Sequence, residues 1–313
     1  MRIAIVSDVH GNYPALLSVV EDAMSNHVDK FIFAGDYIFD LPFSNEVVRF
    51  LMKMDNAYII KGNRETYLDK LENSNQEDWI YDQFGVVYQT YRELQPDIFD
   101  FLRNLDEECY VQLNPNTSIY VTHWFQDITP MAKSNSGSAN FHKNVLVEPF
   151  SREQYLSEFS NLINSDEYSA QINQIDADII VFGHNHLQAY GYCGKKLIVN
   201  PGSCGQPLDF NNTAPYSIVE ETEDGFIVHE KRVAYDVEAV IRQAKKTIMY
   251  EKGKVWSELV FLALRTGRDY FGIFFEIAEQ IALTKNEKGS HFSNATWEAA
   301  SEIFAEEINL STI

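Results

Sequence analysis

The chain has 313 residues, 45 % of them hydrophobic and 13 % aromatic, and its 25 basic against 46 acidic side chains leave a net charge of −21. That composition excludes a disordered chain and fits one large or two ordinary globular domains. So acidic a surface repels duplex nucleic acid and anionic membranes at long range, and neither is expected as a partner.

The opening "RIAIV" reads as a strand and runs straight into a polar motif, so the first residues belong to the fold and not to a signal peptide. Ala15, Leu16, Val19, Val20 and Ala23 then fall on one helical face. "KFIFA" is a second strand, Val47, Val48, Leu51 and Met52 mark a second helix, and "AYII" is a third strand. This βαβαβ order predicts an α/β domain with mainly parallel pairing. Residues 75–103 read as helical and rich in tyrosine, and "ECYVQL" with "TSIYV" as a strand pair. Residues 124–175 lack strand character, pass through the polar run "KSNSGSAN" and end in a helix near "REQYLSEFSNLI"; they read as an insert or lid over the motif edge. Strands return at "DIIVF", "KLIVN", "YSIVE" and "GFIVHE", the last two joined at Asp224-Gly225. After Tyr235 the pattern is helical to the end. The expected division is therefore a domain over 1–235 and a helical extension over 236–313, which packs on the domain or forms a homo-oligomer contact. Its most apolar part, 255–283, is broken by Glu258, Arg265, Arg268, Asp269 and Glu276, so it is no membrane span. Cys109, Cys193 and Cys204 form no pattern, which suggests reduced thiols in a cytoplasmic protein.

Five motifs carry metal-ligand side chains: "SDVH" with Asp8 and His10, "FAGD" with Asp36, "KGNRE" with Asn63, "VTHW" with His123, and "VFGHNH" with His184 and His186. Each follows a short apolar run. In an open α/β sheet, ligands bind just beyond the carboxyl ends of strands, so these scattered residues can meet at one edge. Mixed imidazole and carboxylate donors suit Mn, Fe, Zn or Ni better than Ca or Mg. Two such ions can clamp a phosphoryl group and activate water. The i, i+2 spacing of His184 and His186 sends their rings to different ions more readily than to one.

In this order the motifs Asp-x-His, Gly-Asp, Gly-Asn, His and Gly-His-x-His resemble the calcineurin-like metallophosphoesterase superfamily over roughly residues 1–235. "SDVHGN" and "NPGSCGQP" look like its bacterial branch of small phosphodiesterases and phosphatases, which includes diadenosine tetraphosphatases. The resemblance implies a four-layer α/β/β/α sandwich. It implies two divalent or mixed-valence ions, Mn and/or Fe, with Zn or Ni also compatible. By position, Asp8, His10 and His186 would hold the first ion, Asp36 would bridge, and Asn63, His123 and His184 would hold the second. A hydroxide bridging both would be the nucleophile.

Two departures bear on the substrate. Where many members have His after the Gly-Asn asparagine, this chain has Arg64, which cannot act as a general acid but can grip phosphate oxygens with its planar fork. Leu208 stands where related bacterial members often carry Arg. Catalytic roles are therefore expected for Asp36 and Arg64, and substrate contacts for Arg64, Asn12 and Trp124. Asn12 has an equally good reading as the cap of the following helix, and Trp124 as packing under the insert. Asn200 to Ser203 read as a tight turn supporting the site. The expected activity is hydrolysis of phosphodiester or phosphoanhydride bonds in a small phosphorylated substrate, a nucleotide such as diadenosine tetraphosphate. The alternatives are a phosphoprotein phosphatase, or a metal-bound scaffold with little turnover.

Overall fold

In the computed structural model, residues 1–125, 151–287 and 291–308 are described. Strands β1 (Arg2–Val6), β2 (Lys30–Phe33) and β3 (Ala57–Ile59) pair in parallel, as the alternating pattern predicts. Between them lie α1 (Tyr13–Ser25) and α2 (Ser44–Leu51). The buried face of α1 is the expected set, Ala15, Leu16, Val19, Val20 and Ala23, and the helix opens with Asn12 accepting from the Ala15 N–H. After β3 comes α3 (Asn63–Glu72), which hydrophobic periodicity did not reveal: it is polar almost throughout and buries only Glu65 and Leu68. Two short 3-10 turns, α4 (Gly85–Glu93) and α5 (Pro96–Arg103) fill the tyrosine-rich stretch.

The hairpin β4 (Glu108–Asn114) and β5 (Thr117–Thr122) opens a second sheet with β6 (Ile179–Val181), β7 (Gln188–Cys193) and β8 (Lys196–Pro201). Its order is β4-β5-β6-β8-β7, with β5, β6 and β8 parallel. The antiparallel hairpin β9 (Ala214–Thr222) and β10 (Gly225–Val233) returns to the first sheet, giving β10-β9-β1-β2-β3.

Alternation along each strand builds the layers. Ile3, Ile5 and Ile32 point inward against Val111, Ile119, Val121, Ile179, Val181, Leu197 and Val199 of the other sheet. Ala4, Val6, Phe31 and Phe33 point outward under α1 and α2. On the far side Ile180, Phe182 and Ile198 meet Tyr155, Phe159, Ile163, Tyr168 and Ile172 from α6 (Arg152–Ile163) and α7 (Asp166–Gln174). This is the four-layer α/β/β/α sandwich. Of the expected insert over 124–175, residues 126–150 lie outside those described, and α6 and α7 form the outermost layer.

Helices α8 (Val237–Ala244), α9 (Ile248–Lys252), α10 (Lys254–Thr266), α11 (Phe271–Thr284) and α12 (Asn294–Glu307) complete the chain. Tyr270, Phe274, Trp297 and Phe304 centre a cluster of their own, while α8 and α10 enclose Leu41 with Val240, Ile241, Val260, Phe261 and Leu264. Among the described residues no helix is long and apolar enough to cross a membrane.

Candidate metal centre

The loops leaving β1 and β2 are zipped together by main-chain bonds. The Asp8 N–H donates to Gly35 O at 3.0 Å, His10 N–H to Asp36 O at 3.0 Å and Gly11 N–H to Tyr37 O at 2.9 Å. The second sheet joins through the His184 N–H, which donates to both Asp8 carboxylate oxygens at 3.0 and 3.2 Å. Asp8, His10, Asp36, His184 and His186 all have positive φ, between 49° and 72°. Non-glycine residues rarely adopt this conformation, and it persists only where surrounding contacts impose it. Here it turns side chains from different strand ends into one space.

All seven sequence-predicted ligands meet there. His10 Nε2 and His186 Nε2 are 3.1 Å apart. Asp8 Oδ1 lies 3.8 Å from the first and 3.5 Å from the second. Asp36 Oδ2 lies 3.9 Å from His10 Nε2 and 3.4 Å from His123 Nε2. Asn63 Oδ1 is 3.0 Å from His123 Nε2 and 2.8 Å from His184 Nδ1. Two donors on one ion at bonds of about 2.1 Å stand about 3.0 Å apart in octahedral and about 3.4 Å in tetrahedral geometry; the His10–His186, Asp8–His186, Asp36–His123 and Asn63 spacings lie close to these values, while His10 stands farther from Asp8 and Asp36. The groups Asp8, His10, His186 and Asp8, Asp36, His123 each bring their ligand atoms within 4.8 Å of one another.

The outer ring nitrogens support the same reading. His123 Nδ1 lies 2.6 Å from Ala34 O, and His186 Nδ1 lies 2.7 Å from Gln206 O. His10 Nδ1 contacts Asp40 Oδ2 at 2.8 Å. With a proton on that side, each ring would turn the lone pair of Nε2 inward. Lone pairs of His10 and His186 facing across 3.1 Å require a positive charge between them. In the metal-free chain the raised pKa of His10 favours a proton there. Burial pulls His10 down, but Asp40, Asp8 and Asp36 raise it to about 9. His123, likewise buried, is raised to about 10 by Asp36, Asp8 and its bond to Ala34. Asp8 would be raised by burial, yet His186, His10 and His123 bring it down to about 2. Asp36, against the same burial, is held well below the usual carboxylate range by His123, His10 and Arg64. Burial and His123 depress His184 to about 4, and burial also lowers His186. The donor set thus fits hard-to-borderline divalent cations.

Four residues of the centre escaped sequence reasoning. Glu65 is only 3 % exposed. Its carboxylate accepts from the N–H groups of Asp36, Tyr37 and Gly62 at 2.9, 2.8 and 2.7 Å, fixing the Asp36 loop to the start of α3. Asp40 sits behind His10 and also contacts Arg64 Nη2 at 3.2 Å. Trp256, from α10, donates its indole N–H to Asp40 Oδ1 at 2.7 Å. Gln206 contributes only its carbonyl.

The expected substrate residues divide. Arg64 leans over the centre, with its Nε 3.9 Å from Asp36 Oδ2, and its main-chain N–H donates to Asp36 Oδ1 at 2.8 Å. Asn12 is fully buried: its amide donates to Gly205 O and Tyr235 Oη, and its oxygen caps α1, so its polar atoms are engaged away from the cavity. Ser203 Oγ donates to Asp8 O and Asn200 Nδ2 to Gly183 O, so their turn braces the site. Trp124 is 46 % exposed and lies over the His184 ring at 5.3 Å. With Lys61, Tyr67, Lys70, Asn63, His123 and His184 it lines a cleft of about 780 Å³.

A model of the family described as calcineurin-like phosphoesterase matches residues 1–188. An uncharacterized protein of Methanocaldococcus jannaschii is 24 % identical over 263 residues, 80 % of this chain and 94 % of that protein. The crystal structure of a metallophosphoesterase from Sphaerobacter thermophilus matches at 20 % identity with a TM-score of 0.59, covering 85 % of this chain and 99 % of that one. A hypothetical protein from Pyrococcus horikoshii matches at 16 % identity, also with a TM-score of 0.59, covering 86 % and 99 %. The two structures share the fold described above.

Proposed function

This chain belongs to the calcineurin-like phosphoesterase family, and from that premise we propose that it is a dinuclear metal-dependent hydrolase of phosphodiester or phosphoanhydride bonds in small nucleotides, with dinucleoside polyphosphates such as diadenosine tetraphosphate as the leading substrates. Asp8, His10, His186 and Asp36 would hold one ion, and Asp36, Asn63, His123 and His184 the other. A pair of divalent cations there supplies Lewis acidity toward a phosphoryl group and lowers the pKa of water in the site.

The chain's own residues supply orientation and selectivity. Arg64 offers a planar set of donors beside Asp36, suited to two phosphate oxygens. It holds its proton at every working pH, and burial keeps His184 neutral, so neither serves as an acid for a poor leaving group. Phosphoanhydrides and aryl esters, which leave without protonation, therefore suit this site better than alkyl esters.

The observation that carries the nucleotide reading is the cleft of about 780 Å³ that opens from Asn63, His123 and His184. Its size is that of a small-molecule site. The half-exposed Trp124 offers a stacking surface for a base, and Lys61 and Lys70, which line the cleft together with Glu107 and Glu108, offer positive charge to further phosphates.

The test is a hydrolysis panel with Mn²⁺, in which products are identified from diadenosine tetraphosphate, nucleoside triphosphates, tripolyphosphate and phosphopeptides. Trp124→Ala should raise KM for the nucleotides by roughly 5- to 150-fold, the equivalent of about 1–3 kcal/mol of stacking, and leave KM for tripolyphosphate unchanged. Preferential phosphopeptide turnover would replace the nucleotide reading with a phosphoprotein phosphatase. Metal uptake with no turnover across the panel would mark a scaffold.

A further inference from the structure

We infer that the C-terminal helices complete the metal centre: Trp256 holds Asp40, and Asp40 positions both His10 and Arg64. Three groups converge on this one carboxylate, which is 2 % exposed: one hydrogen bond from Trp256 and ion-pair contacts from His10 and Arg64. Its Oδ1 accepts the Trp256 indole N–H at 2.7 Å across 216 positions of sequence. Its Oδ2 faces His10 Nδ1 at 2.8 Å and Arg64 Nη2 at 3.2 Å. Indole suits the anchoring role because it donates and cannot accept, so it never competes for the carboxylate's proton partners.

The backbone at Asp40 needs such an anchor. Phe39 and Asp40 have φ of 69° and 60° in succession, a conformation that holds only when contacts on several sides fix it. Helices α8 and α10 supply them, because Leu41 is buried among Val240, Ile241, Val260, Phe261 and Leu264. The Trp256 ring packs at 4.7 Å on Phe271 and lies 6.0 Å from the Arg64 guanidinium. One helix thus reaches the ligand His10 and the phosphate-facing Arg64 through a single acid. Asp40 and Trp256 are positioning residues, since neither is placed to touch an ion or a substrate. Loss of such supports behind a ligand typically weakens metal affinity by roughly 10–100-fold.

The inference rests on the metal-binding reading of the seven ligands, and the experiment separates the two. The full chain is stripped with chelator and titrated with Mn²⁺ in four forms: the parent, Trp256→Phe, Asp40→Asn and the double variant. Trp256→Phe should weaken one of the two sites by about 10-fold and leave the other intact. In the Asp40→Asn background the same change should add nothing, because the indole acts only through Asp40. Parent affinity in Trp256→Phe overturns the inference. So does an equal loss in both backgrounds, which would mark general packing. A parent chain that takes up no Mn²⁺ defeats the ligand reading itself. A further readout needs no change at Trp256 or Asp40. In a Trp124→Phe chain, which removes the other indole beside the centre, one of the remaining indole N–H resonances should shift on Zn²⁺ loading. Three resonances indifferent to Zn²⁺ would overturn the coupling even if Trp256→Phe fails to fold.

Discussion

The pair Arg64 and Asp40 gives the most quantitative test of how the centre is built. Their closest atoms are 3.2 Å apart, with Arg64 19 % exposed and Asp40 almost wholly buried. At an effective dielectric near 20, two unit charges at that distance attract by about 5 kcal/mol, an upper bound that solvent screening at the partly exposed Arg64 brings down. Both partners respond in the matching sense. Despite burial, Asp40 raises the Arg64 pKa. Arg64, followed by His10, holds Asp40 well below the usual carboxylate range despite burial. A double-mutant cycle of Arg64→Ala and Asp40→Asn in the metal-free chain should therefore give a coupling of about 2–3 kcal/mol. For 313 residues, unfolding entropy near 2 cal/mol/K per residue converts that to a fall in Tm of about 4 °C for Arg64→Ala. The fall should shrink when Asp40 is already neutral. Thermal unfolding of the four proteins under one buffer is the assay. Arg64→Ala should also lower kcat by on the order of 10²–10³ at unchanged metal content, with Lys restoring only part because it lacks the planar fork. A coupling below about 0.5 kcal/mol, no larger than an exposed pair provides, would refute the buried-pair reasoning. Normal turnover of Arg64→Ala would refute its phosphate role.

Because His186 Nε2 adjoins His10 and Asp8 while His184 Nδ1 adjoins Asn63, His184→Ala and His186→Ala should each lose one metal equivalent by elemental analysis, leaving different sites filled; loss of the same site in both contradicts the assignment. A Cβ at Gly183 would fall 2.0 Å from Ser7 Oγ and 2.7 Å from Asp8 Oδ2, so Gly183→Ala should cost about 1–3 kcal/mol in denaturant unfolding and weaken metal uptake; parent stability would show that the two loops give way freely. In the metal-free chain the raised pKa values of His10 and His123 add stability that is fully present below 6.5 and is lost as pH rises through about 9 and about 10. The depressed His184 and His186 act only below that window. Tm should therefore decline between pH 6.5 and 10 without metal, and a flat profile in differential scanning calorimetry would contradict the charge pairing.

The seven candidate ligands were legible because each sits two to four residues past an apolar run, and a strand's end is a place that sequence can mark. The supporting residues were not, and the reason is physical. Glu65 is an acid in a helix with almost no apolar face, and nothing in its neighbourhood separates it from a solvated charge. It is buried because main-chain N–H groups from the Asp36 loop and from the cap of its own helix converge on it, and main-chain donors leave no trace in residue identity. Strand β7, interrupted by Gly191, was not among the strands read from the sequence; it is held as an edge by its register with β8. Asp40 follows Asp36 by four positions but acts behind His10, and the group that fixes it lies on α10. The C-terminal helices were expected to pack on the domain or on a second copy, and nothing in their pattern pointed to the centre. What ties them to the chemistry is the packing around Leu41 and one indole N–H, and contacts between such distant positions have no periodicity to read. Residues that touch the reacting centre are constrained in type, and so a sequence announces them. Residues that hold those in place are constrained in position, and only the folded chain shows where they are.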